Sequence, residues 1–324
     1  MANVNANASV KLNPLLQKAS WMESGDIKPY VFVRPENQIA NPGTRHKLDW
    51  FSHGSVYKDP LDIVEVNFAD RIYSIEERAF GPSNMAMPRW VFYDCAVIPG
   101  FVAGFAARPS ALKKEVRDIL DPVKFPATNS PIFKSSLAEA QAMIVKSLDD
   151  MDWVPLSLFI IIPTMHRGEW VAHNLCSVNS LLAKEHQFYG LGFLSKAFGL
   201  WYANVEQCSG MTQWGSPALK LHSHFGHLEI VGAYAPVHSH AKTVTYRTQV
   251  NTVCWEQFFS REQDLAFLEN YGPSDSKIDP KNEQSMLDLQ KKIEKEEGPF
   301  YLNAMEIAAK NLDESLTIYK PKGY

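Results

Sequence analysis

The segment Gln187-Phe188-Tyr189-Gly190-Leu191-Gly192-Phe193 constrains this chain more than any other. It sets two glycines between a strand-like run, Glu169 to Val178, and a helix-like run, Leu191 to Ala203. Glycine adopts positive φ without steric cost, so a strand can turn there directly into a helix. The first N–H groups of such a helix lack intrahelical partners, and the helix dipole adds partial positive charge. The result is an anion cradle suited to phosphate. Short glycine patterns also arise as plain tight turns, so the neighbouring elements decide between the two readings. No Gly-Lys-Ser/Thr follows, so this is not a Walker loop. No acidic residue ends a following strand in a repeated βαβ pattern, which does not suit a dinucleotide fold.

At 324 residues the chain has room for one large domain or two ordinary ones. Its 45% hydrophobic and 21% charged residues are those of a soluble globular protein with a sizeable core. A formal net charge of −4, with no basic run, argues against nucleic-acid binding. The cysteines Cys95, Cys176, Cys208 and Cys254 form no C-x-x-C pair and read as reduced core thiols. Met1 to Val10 is polar and lacks the apolar stretch of a signal peptide. The most apolar run, Trp153 to Pro163, is too short to span a bilayer. The expectation is a cytoplasmic protein that does not enter a membrane.

Residues 1–58 are rich in Asn, Pro and Gly and read as an irregular extension. Leu61 to Val66 alternates like a strand, and Phe68, Ile72, Ile75 and Ala79 share a helical face that Gly81-Pro82 ends. Arg89 to Ile98 and Phe101 to Ala106 read as a hairpin around Pro99-Gly100. Residues 110–120 and 135–150 are amphipathic, and Trp153 to Ile162 is a buried strand. Val205 to Trp214 is a strand, and Ser216-Pro217 starts a short helix that Gly226 ends. His227–Tyr234 and Lys242–Val250 form a final hairpin. Beyond 251 the pattern is helical and charged, with helices over 279–297 and 300–312.

This order of elements resembles the GNAT superfamily of acyltransferases, and four segments carry the likeness. Ile75-Glu76-Glu77-Arg78-Ala79-Phe80 is similar to the end of the family's first helix, and Phe101-Val102-Ala103-Gly104-Phe105 to its early strand. Gln187-x-x-Gly190-x-Gly192 resembles the pyrophosphate-binding R/Q-x-x-G-x-G/A, and Ala218 to Gly226 the later A-x-x-L-Y-x-x-x-G. Together they span roughly residues 60–250. The resemblance implies an α/β (α+β) fold, a mixed, twisted sheet with helices on both faces. It would form a domain over 59–250 with an insertion at about 109–151, an amino-terminal extension over 1–58 and a carboxy-terminal helical extension over 251–324.

It also implies a donor, acetyl-CoA or another acyl-CoA, and no metal. The donor's pyrophosphate would lie on Gln187, Phe188, Tyr189, Gly190, Leu191, Gly192 and Phe193. Its pantetheine arm would pair with backbone around Cys176, Ser177 and Val178, between the splayed ends of Glu169–Val178 and Val205–Trp214. The acceptor would be a small-molecule or peptide amine, or a hydroxyl, and a homodimer is compatible. His222 stands where the family often has a tyrosine that protonates the leaving thiolate; it could equally just pack on its helix. The base would come from the strand before the glycine turn, where Glu169 and His173 share a face. A surface Glu and a satisfied core His are the plain alternatives. The loop over 179–186 is longer than the family's.

Other classes stay open. A GNAT-like fold without catalysis could bind ligands or assemble through its tails. His222, His224 and Glu229 form an H-x-H-x4-E pattern like a cupin metal motif, with His227, His238 and His240 nearby. Two rings one residue apart on a helix point about 200° apart, which counts against it. Cys208 reads as a core thiol rather than a nucleophile.

Overall fold

The computed structural model describes residues 19–44, 54–125, 147–236, 240–250, 261–311 and 313–323. The amphipathic 135–150 segment, except its end, lies outside them, as do His238 and Cys254. The chain has a mixed α/β fold and divides into two compact units, Ala19–Met211 and Thr212–Tyr324.

The amino-terminal unit contains β1 (Ile27–Phe32), β2 (Val56–Lys58), α1 (Val66–Phe80), β3 (Phe101–Ala107), α2 (Lys114–Leu120), β4 (Val154–Pro155), β5 (Ser157–Pro163), β6 (Glu169–Ser177), α3 (Leu191–Tyr202) and β7 (Gln207–Gln213). The strand order is β2-β1-β3-β5-β6-β7, with β4 on β3. β1–β2 and β6–β7 are parallel, whereas β1–β3, β3–β5 and β5–β6 are antiparallel, so the sheet is mixed. α1 and α3 cover opposite faces. Phe68 of α1 packs on Tyr30 and Phe32, with ring centroids 4.9 and 6.1 Å apart. Phe198 and Tyr202 of α3 pack on Phe105 and Phe101 from the other side, at 6.3 and 5.1 Å.

α3 is apolar around nearly its whole circumference, as a helix buried on all sides must be. Gly199 lets it settle on the sheet: a Cβ there would lie 2.6 Å from the Phe159 ring. Gly104 serves the same purpose between strands, since a Cβ would meet the Ser157 carbonyl oxygen at 2.3 Å. Each fully buried Phe of this core contributes roughly 2–3 kcal/mol.

In this unit the structure departs from the sequence expectations in three places. The 1–58 segment is not wholly irregular, because Ile27–Phe32 is a sheet strand whose Tyr30, Val31 and Phe32 are completely buried. Leu61–Val66 is not a strand: Asp62 accepts from the Val64 N–H at 2.9 Å and caps a short helical turn over Ile63–Glu65 that leads into α1. The expected hairpin over 89–106 is absent, since Arg89–Val97 is helical with a π segment over Phe92–Val97, and β3 pairs with β1 and β5 instead.

The carboxy-terminal unit holds α4 (Pro217–Ser223), β8 (Leu228–Gly232), β9 (Thr243–Gln249), α5 (Arg261–Asn270), β10 (Tyr271–Ile278), α6 (Glu283–Glu294), β11 (Phe300–Leu302), α7 (Ala304–Ala309) and β12 (Leu316–Pro321). Strands run β10-β12-β11-β8-β9 with antiparallel neighbours. Ser216 caps α4 by accepting from the Ala218 N–H at 3.1 Å, as its sequence predicts. The core joins Trp214, Leu228, Tyr246, Met286, Phe300 and Ile318. The segment beyond 251 is therefore not a purely helical tail, because β10, β11 and β12 extend its sheet.

Candidate active site

The site begins with an irregularity in β6. Phe159 pairs with Leu175 and Ile161 with Ala172, so two steps along β5 match three along β6. The extra residue is a β-bulge at His173-Asn174, a device that re-aims side chains and locally ends pairing. Strand alternation then breaks, and His173 and Asn174 both turn towards the α1 face.

The other edge of β6 opens at the same place. Parallel pairing with β7 covers Glu169–Ala172 against Gln207–Gly210 and stops there, although both strands continue. Backbone groups beyond the bulge are left facing the gap. The Val178 N–H donates to Leu156 at 2.8 Å, on the β5 side. By strand alternation Cys176 also faces β5, while Leu175 and Ser177 present their amides and carbonyls to the opened edge. Of the expected backbone set, Ser177 thus faces the opened edge, as Leu175 does, whereas Cys176 and Val178 face β5.

The glycine turn lies at the start of α3. Gly190 has φ 74° and is the residue before the first helical position, which is the geometry the two-glycine motif predicts. Its scaffold is the long loop. Asn179 accepts from the Phe188 N–H at 2.8 Å and donates to the Phe188 carbonyl at 2.7 Å. Gln187 Nε2 donates to the Asn179 and Leu182 carbonyls at 2.9 and 3.1 Å. The Leu191 N–H bonds to the Phe188 carbonyl. Gln187, Phe188 and Leu191 therefore shape the turn with these groups, and the amides of Gly190 and Gly192 make no bond to the described residues. Those amides at the positive end of α3 suit a phosphate oxygen. Trp21, from the segment read as irregular, donates its Nε1–H to the Tyr189 carbonyl at 3.0 Å and packs edge-on against Phe188.

The predicted base candidates separate. His173 sits in the bulge. Part of its ring reaches solvent, yet the ring is embedded enough that desolvation lowers its pKa, with the Asn174 hydrogen bond opposing. Glu169 shares its face but lies four residues away, roughly 13 Å along a strand. Its carboxylate accepts from Gln207 and Thr164 at 3.0 and 3.3 Å, tying β6 to β7 and to the preceding turn. His222 belongs to the carboxy-terminal unit, where it is buried with its ring 5.1 Å from that of Tyr246. Cys208 is fully buried and desolvation raises its pKa, as suits a thiol rather than a nucleophilic thiolate.

The residues of the cupin-like pattern have structural partners. Glu229 is gripped by Arg247 at 2.7 and 3.1 Å. His227 Nδ1 accepts from the Ala304 N–H at 3.2 Å, and burial lowers the pKa of His224 to about 4. Among the described residues no group of three or more His, Cys, Asp and Glu side chains is placed to hold a metal ion. Nor is any described helix long and apolar enough to cross a membrane.

Sequence reasoning missed Glu76. It lies on α1 with no exposed surface, and its Oε1 accepts from the Met87 N–H at 2.9 Å and from Asn174 Nδ2 at 2.8 Å. Its Oε2 is buried without a partner among the described residues. Desolvation raises its pKa to about 7, against the two hydrogen bonds, with Glu77 adding repulsion. A signal existed: Glu76 stands four residues after Ile72 and one after Ile75, so helical spacing puts it beside the apolar stripe.

No protein-family description and no curated protein matches the sequence. Solved structures give partial likenesses. A Desulfovibrio desulfuricans protein assigned as a GNAT-family acetyltransferase is 15% identical, with a TM-score of 0.26 over 30% of this chain and 64% of its own. Nourseothricin acetyltransferase is 9% identical, with a TM-score of 0.24 over 30% and 59%. A Klebsiella pneumoniae protein assigned as an acyl-CoA N-acyltransferase is 12% identical, with a TM-score of 0.27 over 55% and 88%. The chain thus spans less than two thirds of the first two, and the neighbours it is similar to are acyltransferases.

Proposed function

We propose that this chain is an acyltransferase that moves an acetyl or other acyl group from acyl-CoA to an amine or hydroxyl by direct attack in a ternary complex. One observation carries the reading: the pairing of β6 and β7 ends at Ala172 and Gly210, beside the bulge, leaving backbone groups facing a gap. A pantetheine arm carries amides that can pair with such an edge, here at Leu175 and Ser177. The Gly190 and Gly192 amides would take the pyrophosphate, whose charge the α3 dipole favours.

In the reaction the acceptor's lone pair forms the bond to the thioester carbon. A backbone N–H at the opened edge polarises the carbonyl. The acceptor's proton passes to His173, whose lowered pKa keeps it neutral and able to accept at pH 7. The C–S bond breaks, and the departing thiolate takes a proton from solvent. The acceptor is a small molecule or peptide amine, and no step calls on a metal.

Calorimetric titration with acetyl-CoA tests the reading. Binding is expected, and the absence of both heat and a thermal shift at millimolar ligand would overturn it. His173→Ala is expected to lower kcat by about 10²-fold.

A further inference from the structure

Glu76, Asn174 and His173 form a chain from a buried carboxylate to a ring that reaches solvent. Asn174 Nδ2 lies 2.8 Å from Glu76 Oε1, and Asn174 Oδ1 lies 3.0 Å from His173 Nδ1. A carboxylate only accepts, so the amide must turn its NH2 to Glu76 and its oxygen to the imidazole. The imidazole nitrogen facing that oxygen must then carry the hydrogen. Only the bulge allows this arrangement, because on a regular strand adjacent side chains point to opposite faces.

We propose that Glu76 and Asn174 are positioning residues that hold His173 as the Nδ1–H tautomer, leaving the Nε2 lone pair as the proton acceptor at the opened edge of β6. The use of that base rests on the acyltransferase reading; the tautomer does not. The Met87 N–H donates to the same Glu76 oxygen as Asn174. That oxygen therefore stays an acceptor in either charge state of Glu76, and an added proton goes to Oε2, which has no partner among the described residues. The orientation of Asn174 consequently survives the protonation of Glu76.

Long-range proton–nitrogen correlation spectra of the full chain at pH 7.5 test this, with the His173 ring assigned from the signal lost in His173→Gln. The expected result is a protonated Nδ1 and an unprotonated Nε2. A protonated Nε2 in the unmodified protein overturns the proposal, whatever any variant does. Asn174→Ala is expected to make Nε2–H the major form, and an unchanged tautomer there would also overturn it. With acyl transfer as readout, Asn174→Ala should lower kcat about tenfold while the KM for acyl-CoA moves less than about twofold. A KM effect as large as the kcat effect would show a merely structural role and sink the positioning assignment. If acetyl-CoA fails to bind the unmodified protein, the acyltransferase reading falls, and the tautomer measurement still judges this inference.

Discussion

Two sheltered glutamates, one in each unit, show how differently the units treat buried charge. Glu306 in α7 is pushed up by burial, but Lys310 at 2.5 Å and the Thr317 N–H at 2.9 Å outweigh this, and its pKa ends below the ordinary value. Among the described residues Glu76 in α1 pairs with no cation and one of its oxygens has no donor, so desolvation wins. The amino-terminal unit also buries a lysine. Lys196 of α3 is fully buried, and desolvation lowers its pKa to about 8. Incompletely satisfied charge is costly, and natural folds keep it where it serves a task.

The contrast can be broken from either side. The largest expected effect is at Lys196. Its folded pKa is lowered, so the unfolded chain holds more protons between pH 8 and 10.5, and stability rises with pH across that window. Lys196→Met should stabilise the protein by about 3 kcal/mol at pH 7 and flatten the slope, measured by urea unfolding at several pH values. Glu76 has the opposite sign. Its folded pKa is raised, so the folded state holds the extra proton and stability falls as pH rises from 4.5 to 7. Glu76→Gln should remove about 2 kcal/mol of that fall.

Glu306→Ala removes the acceptor of three hydrogen bonds and should cost about 2 kcal/mol in thermal unfolding. A smaller loss than for an exposed Glu such as Glu36 would end the contrast. The smallest effect is at the turn. Gly190→Ala, at φ 74°, should cost about 1 kcal/mol and weaken acetyl-CoA binding, read by calorimetry.

Much of the fold was legible because its punctuation is strong. The buried run of β5, the two-glycine start of α3, and Ser216-Pro217 before α4 each have one local solution. β1 was hidden by Pro29 in its middle and by its loop-like surroundings. Arg89–Val97 was misread because β-branched and aromatic residues favour strands only where a sheet edge receives them, and packing here made the segment helical. Of the site, the glycine turn and His173 were visible. The bulge was not, because an inserted residue without Gly or Pro leaves no mark on a short pattern. Nor was Asn174, whose importance comes from Glu76, 98 positions away in the chain.

Trp21 gives the molecule a reporter of its own. Its indole N–H is bonded to the carbonyl of Tyr189, inside the glycine turn, while its ring lies 5.2 Å from Phe105 in the core. Anything that seats on Gly190 and Gly192 changes the field around that indole. Occupancy of the turn should therefore be readable as a change in intrinsic fluorescence that Trp21→Phe abolishes, without labels and before any substrate has been identified.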